Sequence, residues 1–309
     1  MKTRLFLTLF LTFPFLTLSA ETLMYGKLWI TVESQHTSDG NEVEVVSNKS
    51  RIGFKGNINF IKGFEAIYQA EYEIDPVDGT ADESKNKSVK QRNSFIGLRG
   101  AYGTLFIGKH DTALKLSQAK IDLFNDLAGD IKNIFHGENR LNNFIGYTTP
   151  TLGKAMSATF NVIKETEGLE GNGPGSSTSI AINYKTKNIY MSLAADSMIK
   201  GLDSRRISFH IPLDRMEIGF IYQETDNLRT SKREAGYVAS FSRNIGAKGV
   251  FKIQTALSSM KIGSGEQTSF GYDYTLSNKS KVFFFYTDFS GDREPEDKKI
   301  TALGFEYKF

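Results

Sequence analysis

The sequence predicts an all-β protein, a transmembrane antiparallel β-barrel of sixteen strands. Three observations predict it: how the chain ends, how it begins, and what it is made of. In the last segment, Leu303, Phe305, Tyr307 and Phe309 fall on one face, and Ala302, Gly304, Glu306 and Lys308 on the other. A period of two is that of a β-strand. An alternating aromatic strand at a C-terminus would leave a sticky edge on a soluble protein. A barrel in a membrane removes the edge by pairing its last strand with its first, and turns the aromatics to lipid and the headgroup belt.

At the other end, Lys2 and Arg4 precede a largely apolar stretch, Leu5 to Leu18, that closes on Leu18-Ser19-Ala20. This order of charge, apolar run and small residue reads as a secretory signal peptide over 1–20, with the barrel over 21–309. No later run is long and apolar enough to suggest a transmembrane helix.

Composition agrees. Hydrophobic residues make up only 39% of a chain that holds 24 Phe and 13 Tyr. Strands apolar on one face and polar on the other give that combination, whereas a globular core would need more Leu, Val and Ile. The 38 basic and 35 acidic residues nearly balance, more so without the leader, so the charge is no signature of nucleic-acid binding. With no cysteine, disulfide scaffolds and thiolate chemistry are excluded.

Sixteen strand-like segments follow, from 23–33 and 48–60 to 279–288 and 298–309, an even number as bacterial barrels require. The alternation is clearest where Ile52, Phe54, Ile58 and Phe60 oppose Arg51, Lys55, Asn57 and Asn59. Next, Phe64, Ala66, Tyr68, Ala70 and Tyr72 oppose Glu65, Gln69, Glu71 and Glu73. Charges on so many successive inner faces need a water-filled lumen. Connections alternate between tight turns, such as Gly100–Gly103 and Pro212–Asp214, and longer polar loops, such as Asp75–Val89, Glu165–Ser176 and Gly291–Asp297. Lys109 to Asn139 fits neither class, and a connection that long is usually functional.

In order and spacing, these segments resemble the general diffusion porins of Gram-negative outer membranes. Tyr25-Gly26-Lys27 looks like that family's opening strand and Ser50–Gly56 like its second. Arg92–Leu98 and Gly103–Lys109 look like the fourth and fifth, and Tyr272–Ser277 with the terminal Phe309 completes the pattern. The resemblance implies a homotrimer in the outer membrane, in contact with its lipid and lipopolysaccharide. It implies a passive channel for small hydrophilic solutes and ions, with no cofactor. It also implies that the third loop folds into the barrel, its acidic tip facing a basic ladder on the wall. The Lys109–Asn139 segment stands at that loop's place. Asp122, Asp126 and Asp130 fall on the acidic positions, although Asn125 and Leu127-Ala128 replace a proline and a Phe-Gly pair common there. By the same resemblance, Lys27, Arg51, Arg92 and Arg140 form the ladder.

Other readings stay open. Asp122, Asp126 and Asp130 recur every fourth residue, as on the solvated face of a short helix. Lys27, Arg51 and Arg140 suit ordinary lumen charges as well, and the parity around Phe95 and Ile96 leaves the aim of Arg92 ambiguous. A solute-specific porin, a plugged structural barrel and an enzymatic barrel are the rival functions. For the last there is little support: no Gly-x-Ser-x-Gly, His-Glu-x-x-His or Gly-x-x-x-x-Gly-Lys occurs. His36, His110, His136 and His210 show no ligand spacing and read as solvated loop or lumen residues. Asp75, Asp78, Asp82 and Glu83 read as a solvated or subunit-latching loop rather than a metal site. No catalytic or metal-binding residue is assigned.

Overall fold

A computed structural model describes residues 20–81, 87–164, 177–261, 265–291 and 297–309. The leader up to Ser19, the acidic residues Asp82 and Glu83 and the glycine-rich 171–175 lie outside the described residues.

Alternating sequence becomes strand almost throughout. The first segments are β1 (Ala20–Thr37), β2 (Gly40–Ser47), β3 (Arg51–Ile61), β4 (Phe64–Ile74), β5 (Val89–Gly100) and β6 (Gly103–Asp111). After the 112–139 connection come β7 (Arg140–Thr148), β8 (Met156–Ile163), β9 (Ser177–Lys185), β10 (Tyr190–Ile199), β11 (Leu202–Pro212) and β12 (Met216–Asn227). The sheet is completed by β13 (Lys232–Ile245), β14 (Gly249–Ser258), β15 (Gly265–Ser277), β16 (Ser280–Gly291) and β17 (Lys298–Lys308). β2 and β3 run end to end along β1, which pairs β2 through Ile30–Thr37 and β3 through Ala20–Lys27. They count as one stave, so the closed antiparallel barrel has sixteen.

Closure is the β1–β17 ladder, from Lys27 opposite Lys308 to Thr37 opposite Lys298. Gly26 and Phe309 exchange both backbone N–H to O hydrogen bonds at 3.1 Å, so the last residue of the chain is tied to the first strand. The C-terminal alternation sorts as the period of two requires. Leu303, Phe305 and Tyr307 are 66%, 45% and 39% exposed on the outside, while Ala302 and Glu306 are 1% and 6% exposed on the inside. Among the described residues no helix is long and apolar enough to cross a membrane.

The structure departs from the sequence reading at the first hairpin. β1 runs on to Thr37 and turns into β2, a segment that was not read as strand. The signal was present, since Val43 and Val45 alternate with Glu42 and Glu44, but it is diluted by polar neighbours.

The tight turns need special backbone only locally. At the β5–β6 turn Gly103 has φ +117°, and a Cβ there would stand 2.3 Å from the Thr148 carbonyl oxygen, so only glycine fits.

Candidate functional site

The long connection packs against the buried faces of the staves. Ile121, Ile131, Ile134 and Phe135 are buried with Ile221, Val238, Ala256 and Met260. Phe124 and Leu127 pack with Trp29, Phe283 and Phe285. These wall residues sit on the strand face opposite the exposed Ile218, Phe220, Tyr237, Phe251, Ile253 and Phe284. Glycines on the wall make room: a Cβ at Gly219 would strike Ile121, and one at Gly236 would strike Phe135.

Amides and one guanidinium hold the rest. Gln254 accepts from the Leu123 N–H at 2.8 Å and donates to Asp122 at 3.1 Å and to the Gly129 carbonyl at 3.2 Å. Gln267 donates to the same carbonyl at 2.6 Å. Arg206, fully buried on β11, donates to the Leu114 carbonyl at 3.3 Å, the His136 carbonyl at 3.5 Å and Glu138 at 2.7 Å. One side chain therefore grips both the departing and the returning arm of the connection.

The basic residues named from the sequence gather around one cavity of about 480 Å³, lined by Lys27, Arg51, Arg92 and Arg140 together with Asp126. Arg51 donates to Asp126 at 2.8 Å. Arg92 pairs with Glu71 at 2.8 Å and Glu73 at 3.1 Å, with Asp126 at 3.7 Å. Arg140 donates to Asn93 at 2.7 Å and pairs with Asp111 at 3.1 Å. Lys27 stands 3.4 Å from the centre of the Trp29 ring, with Glu306 at 3.9 Å.

Two bulges aim these side chains. Between the pairs Ala70–Ser94 and Tyr72–Gln91, Glu71 opposes both Arg92 and Asn93, so the register slips by one. Between Gly108–Phe144 and His110–Leu141 the same slip occurs on β7 ahead of Arg140. Strict alternation does not survive such a slip, which is why the inward aim of Arg92 was ambiguous in the sequence.

Of the three acidic residues, only Asp126 reaches the basic group. Asp122 is buried, accepting from the Phe124 N–H at 3.1 Å, the Ile131 N–H at 3.3 Å and Gln254. Burial, with Asp130 second, pushes its carboxyl well above the usual carboxylate range. Asp130 caps the short 3-10 turn Ile131–Asn133, accepting from the Lys132 and Asp126 N–H groups, both at 2.8 Å. Both therefore shape the connection from within. Asp126 itself has φ +66°, a left-handed turn that presents its carboxylate to Arg51. Burial alone would raise that carboxyl, but Arg92 and Arg51 beside it hold it below the usual range.

Sequence reasoning missed Glu71, Glu73 and Asp111 as partners of these basic residues. The inward parity of β4 carried the signal for the first two; nothing local marked Asp111. Among the histidines, His110 is not solvated but packed against Phe95, Phe106 and Phe144 with ring centres 4.7–5.7 Å apart. Among the described residues no group of three His, Cys, Asp or Glu could hold a metal ion.

A closed antiparallel barrel with apolar exterior and charged interior defines an outer-membrane β-barrel protein. The Gram-negative porin family profile matches residues 19–294, and the chain belongs to that family. It is 23% identical over 222 residues to the major outer membrane protein P.IB of Neisseria lactamica, 67% of this chain and 62% of that one. It is 33% identical over 112 residues to the P.IB protein of Neisseria sicca, 33% of this chain and 30% of that one. The chain thus spans less than two thirds of these curated relatives. The fold is similar to that of an anion-selective porin from Comamonas acidovorans, with TM-score 0.74, 18% identity and coverage of 94% and 100% of the two chains. It is also similar to OmpF of Salmonella typhi solved with daunomycin, with TM-score 0.70, 15% identity and coverage of 93% and 97%.

Proposed function

We propose that this protein is a passive, water-filled channel through which small hydrophilic solutes and ions diffuse across the outer membrane. In this reading the 112–139 connection narrows the lumen, and the leader over 1–20 is removed on export. The observation that carries it is the cavity around which Lys27, Arg51, Arg92 and Arg140 meet Asp126. Opposed charges across a narrow water column set up a transverse field that orients polar solutes and makes apolar ones costly to pass.

The same cavity is lined by five basic side chains, with Lys115, against the acids Glu71, Asp111 and Asp126. Near balance with a small positive excess favours anions mildly, in line with the anion-selective porin whose fold is similar. The barrel assembles as a homotrimer embedded in outer-membrane lipid and lipopolysaccharide.

Single-channel recording in planar bilayers under a salt gradient tests the reading. Discrete ohmic steps with a reversal potential slightly toward anions are expected. Absence of conductance from folded protein would favour a plugged barrel instead. Native mass measurement in mild detergent tests the trimer, and the N-terminal sequence of exported protein tests the leader.

A further inference from the structure

A second group of cations lies beyond the cavity, toward the short-turn ends of β14 to β17. Lys252 and Lys281 share one carboxylate, Asp273, at 2.9 and 2.7 Å. Lys281 is also 5.8 Å from the centre of the Trp29 ring, the ring that Lys27 covers from 3.4 Å. Glu306 takes Lys308 at 2.9 Å and Lys27 only at 3.9 Å. Counting Lys27 on the adjoining β1, four ammonium groups thus answer to two carboxylates. The tip of the long connection rests on this group, since Lys252 donates to the Leu123 carbonyl at 3.4 Å and lies 4.9 Å from the Phe124 ring centre.

Resting on the channel reading above, we propose that Lys252 and Lys281, with Lys27 on Trp29, form an anion-binding site on the short-turn side of the loop tip, suited to small multivalent oxyanions such as phosphates and dicarboxylates. Two ammoniums divided over one carboxylate keep donors to spare, and a doubly charged oxyanion satisfies both at once. A monovalent anion gains only one such contact. A neighbouring aromatic face lowers the local polarity and so strengthens each ion contact. Lys281 stays partly accessible, while Lys252 and Asp273 are held in place by burial and by each other.

The test is sided block of single channels by inorganic tripolyphosphate in potassium chloride. Wild-type current should be blocked at lower concentration when the anion is added on the short-turn side. Lys281→Gln should raise the half-blocking concentration from that side at least about fivefold, the factor one unit charge about 4 Å away is worth in water. Asp273→Asn should shift it the other way, because both lysines then lack their carboxylate. Block that is equal from both sides in wild type, or unchanged in both variants, overturns the site. Channels that open normally but behave so would leave the channel reading intact; no channels at all would refute that reading instead.

Discussion

Lys27 and Arg51 are register partners on adjacent staves, two cations placed directly opposite each other on the inner wall. Like charges so placed repel. Asp126 reaches Arg51 at 2.8 Å from a turn 75 residues further along the chain. Around the neighbouring wall the inward charges alternate instead: Glu71, Arg92, Asp111 and Arg140 on β4 to β7, and Lys252, Asp273, Lys281 and Glu306 on β14 to β17. Where β1 meets β3 two cations stand side by side, each with a carboxylate partner on another segment.

Exchanging these charges should move ion selectivity in opposite directions. Arg51→Gln is expected to shift the reversal potential toward cations, and Asp126→Asn toward anions. Each should change the permeability ratio about two- to fivefold at low salt, as a unit charge about 4–8 Å from an ion in water does. At 1 M salt, where the screening length is about 3 Å, both shifts should shrink. Asp122→Asn and Asp130→Asn should move it far less, because neither carboxylate faces the cavity. Identical reversal potentials for the Arg51 and Asp126 variants at low salt would show that these charges do not line the narrowest point.

Arg206 should govern the anchoring of the long connection. Removing one partner of a buried ion pair costs about 3–5 kcal/mol. Arg206→Ala leaves Glu138 uncompensated and frees both arms, so protease cleavage within 112–139 should become easy while the barrel stays folded in detergent. A loop as resistant as in wild type would mean that apolar packing alone holds it.

At Gly129 the backbone of the connection comes close to the wall. A Cβ there would meet the Ser269 hydroxyl at 2.5 Å and Phe124 at 2.9 Å, and its carbonyl takes both Gln254 and Gln267. Gly129→Val should unseat the tip and raise single-channel conductance with noisier open levels. Phe124→Ala removes a fully buried ring, a change that costs about 3–5 kcal/mol in a protein core, and should act in the same direction. Unaltered conductance in both would separate the tip from the conduction path.

Acid should act on the two aspartates in opposite ways. Asp122 has a raised carboxyl in the folded state, so the native protein binds the proton first. Its contribution to loop docking therefore strengthens as pH falls through that folded value, and levels off below the ordinary aspartate value of about 3.9. The protection factors of the 121–131 amides, corrected for the intrinsic pH dependence of exchange, should rise over that window in wild type and not in Asp122→Asn. Asp126 is held down by Arg92 and Arg51, so it stays charged through the same window. Below that window its protonation removes a negative charge, and the preference for anions should grow. A reversal potential that already shifts in mild acid would contradict the pairing.

Much of the barrel was legible in the sequence because its rule is local. A period of two sorts Leu303, Phe305 and Tyr307 outward and Ala302 and Glu306 inward without reference to any distant residue. Arg51 falls on the polar face of its segment by the same rule, whereas the placing of Lys27, Arg92 and Arg140 rested on resemblance to the porin family. Arg92 resisted the rule, because a bulge is set by how two strands pair and leaves little trace in either one.

What the sequence by itself determined is the closed barrel, the alternation of its faces and the position of the long connection between β6 and β7. What the tertiary structure decided is which acid meets which base. Asp122, Asp126 and Asp130 look equivalent along the chain, spaced four apart. They differ once Gln254, Gln267 and Arg206 pin the connection to the far wall, burying two and turning the third toward Arg51 and Arg92. Glu71 and Asp111 became partners of these basic residues for the same reason, since charges pair by distance across the lumen and that distance is set only when the sheet closes.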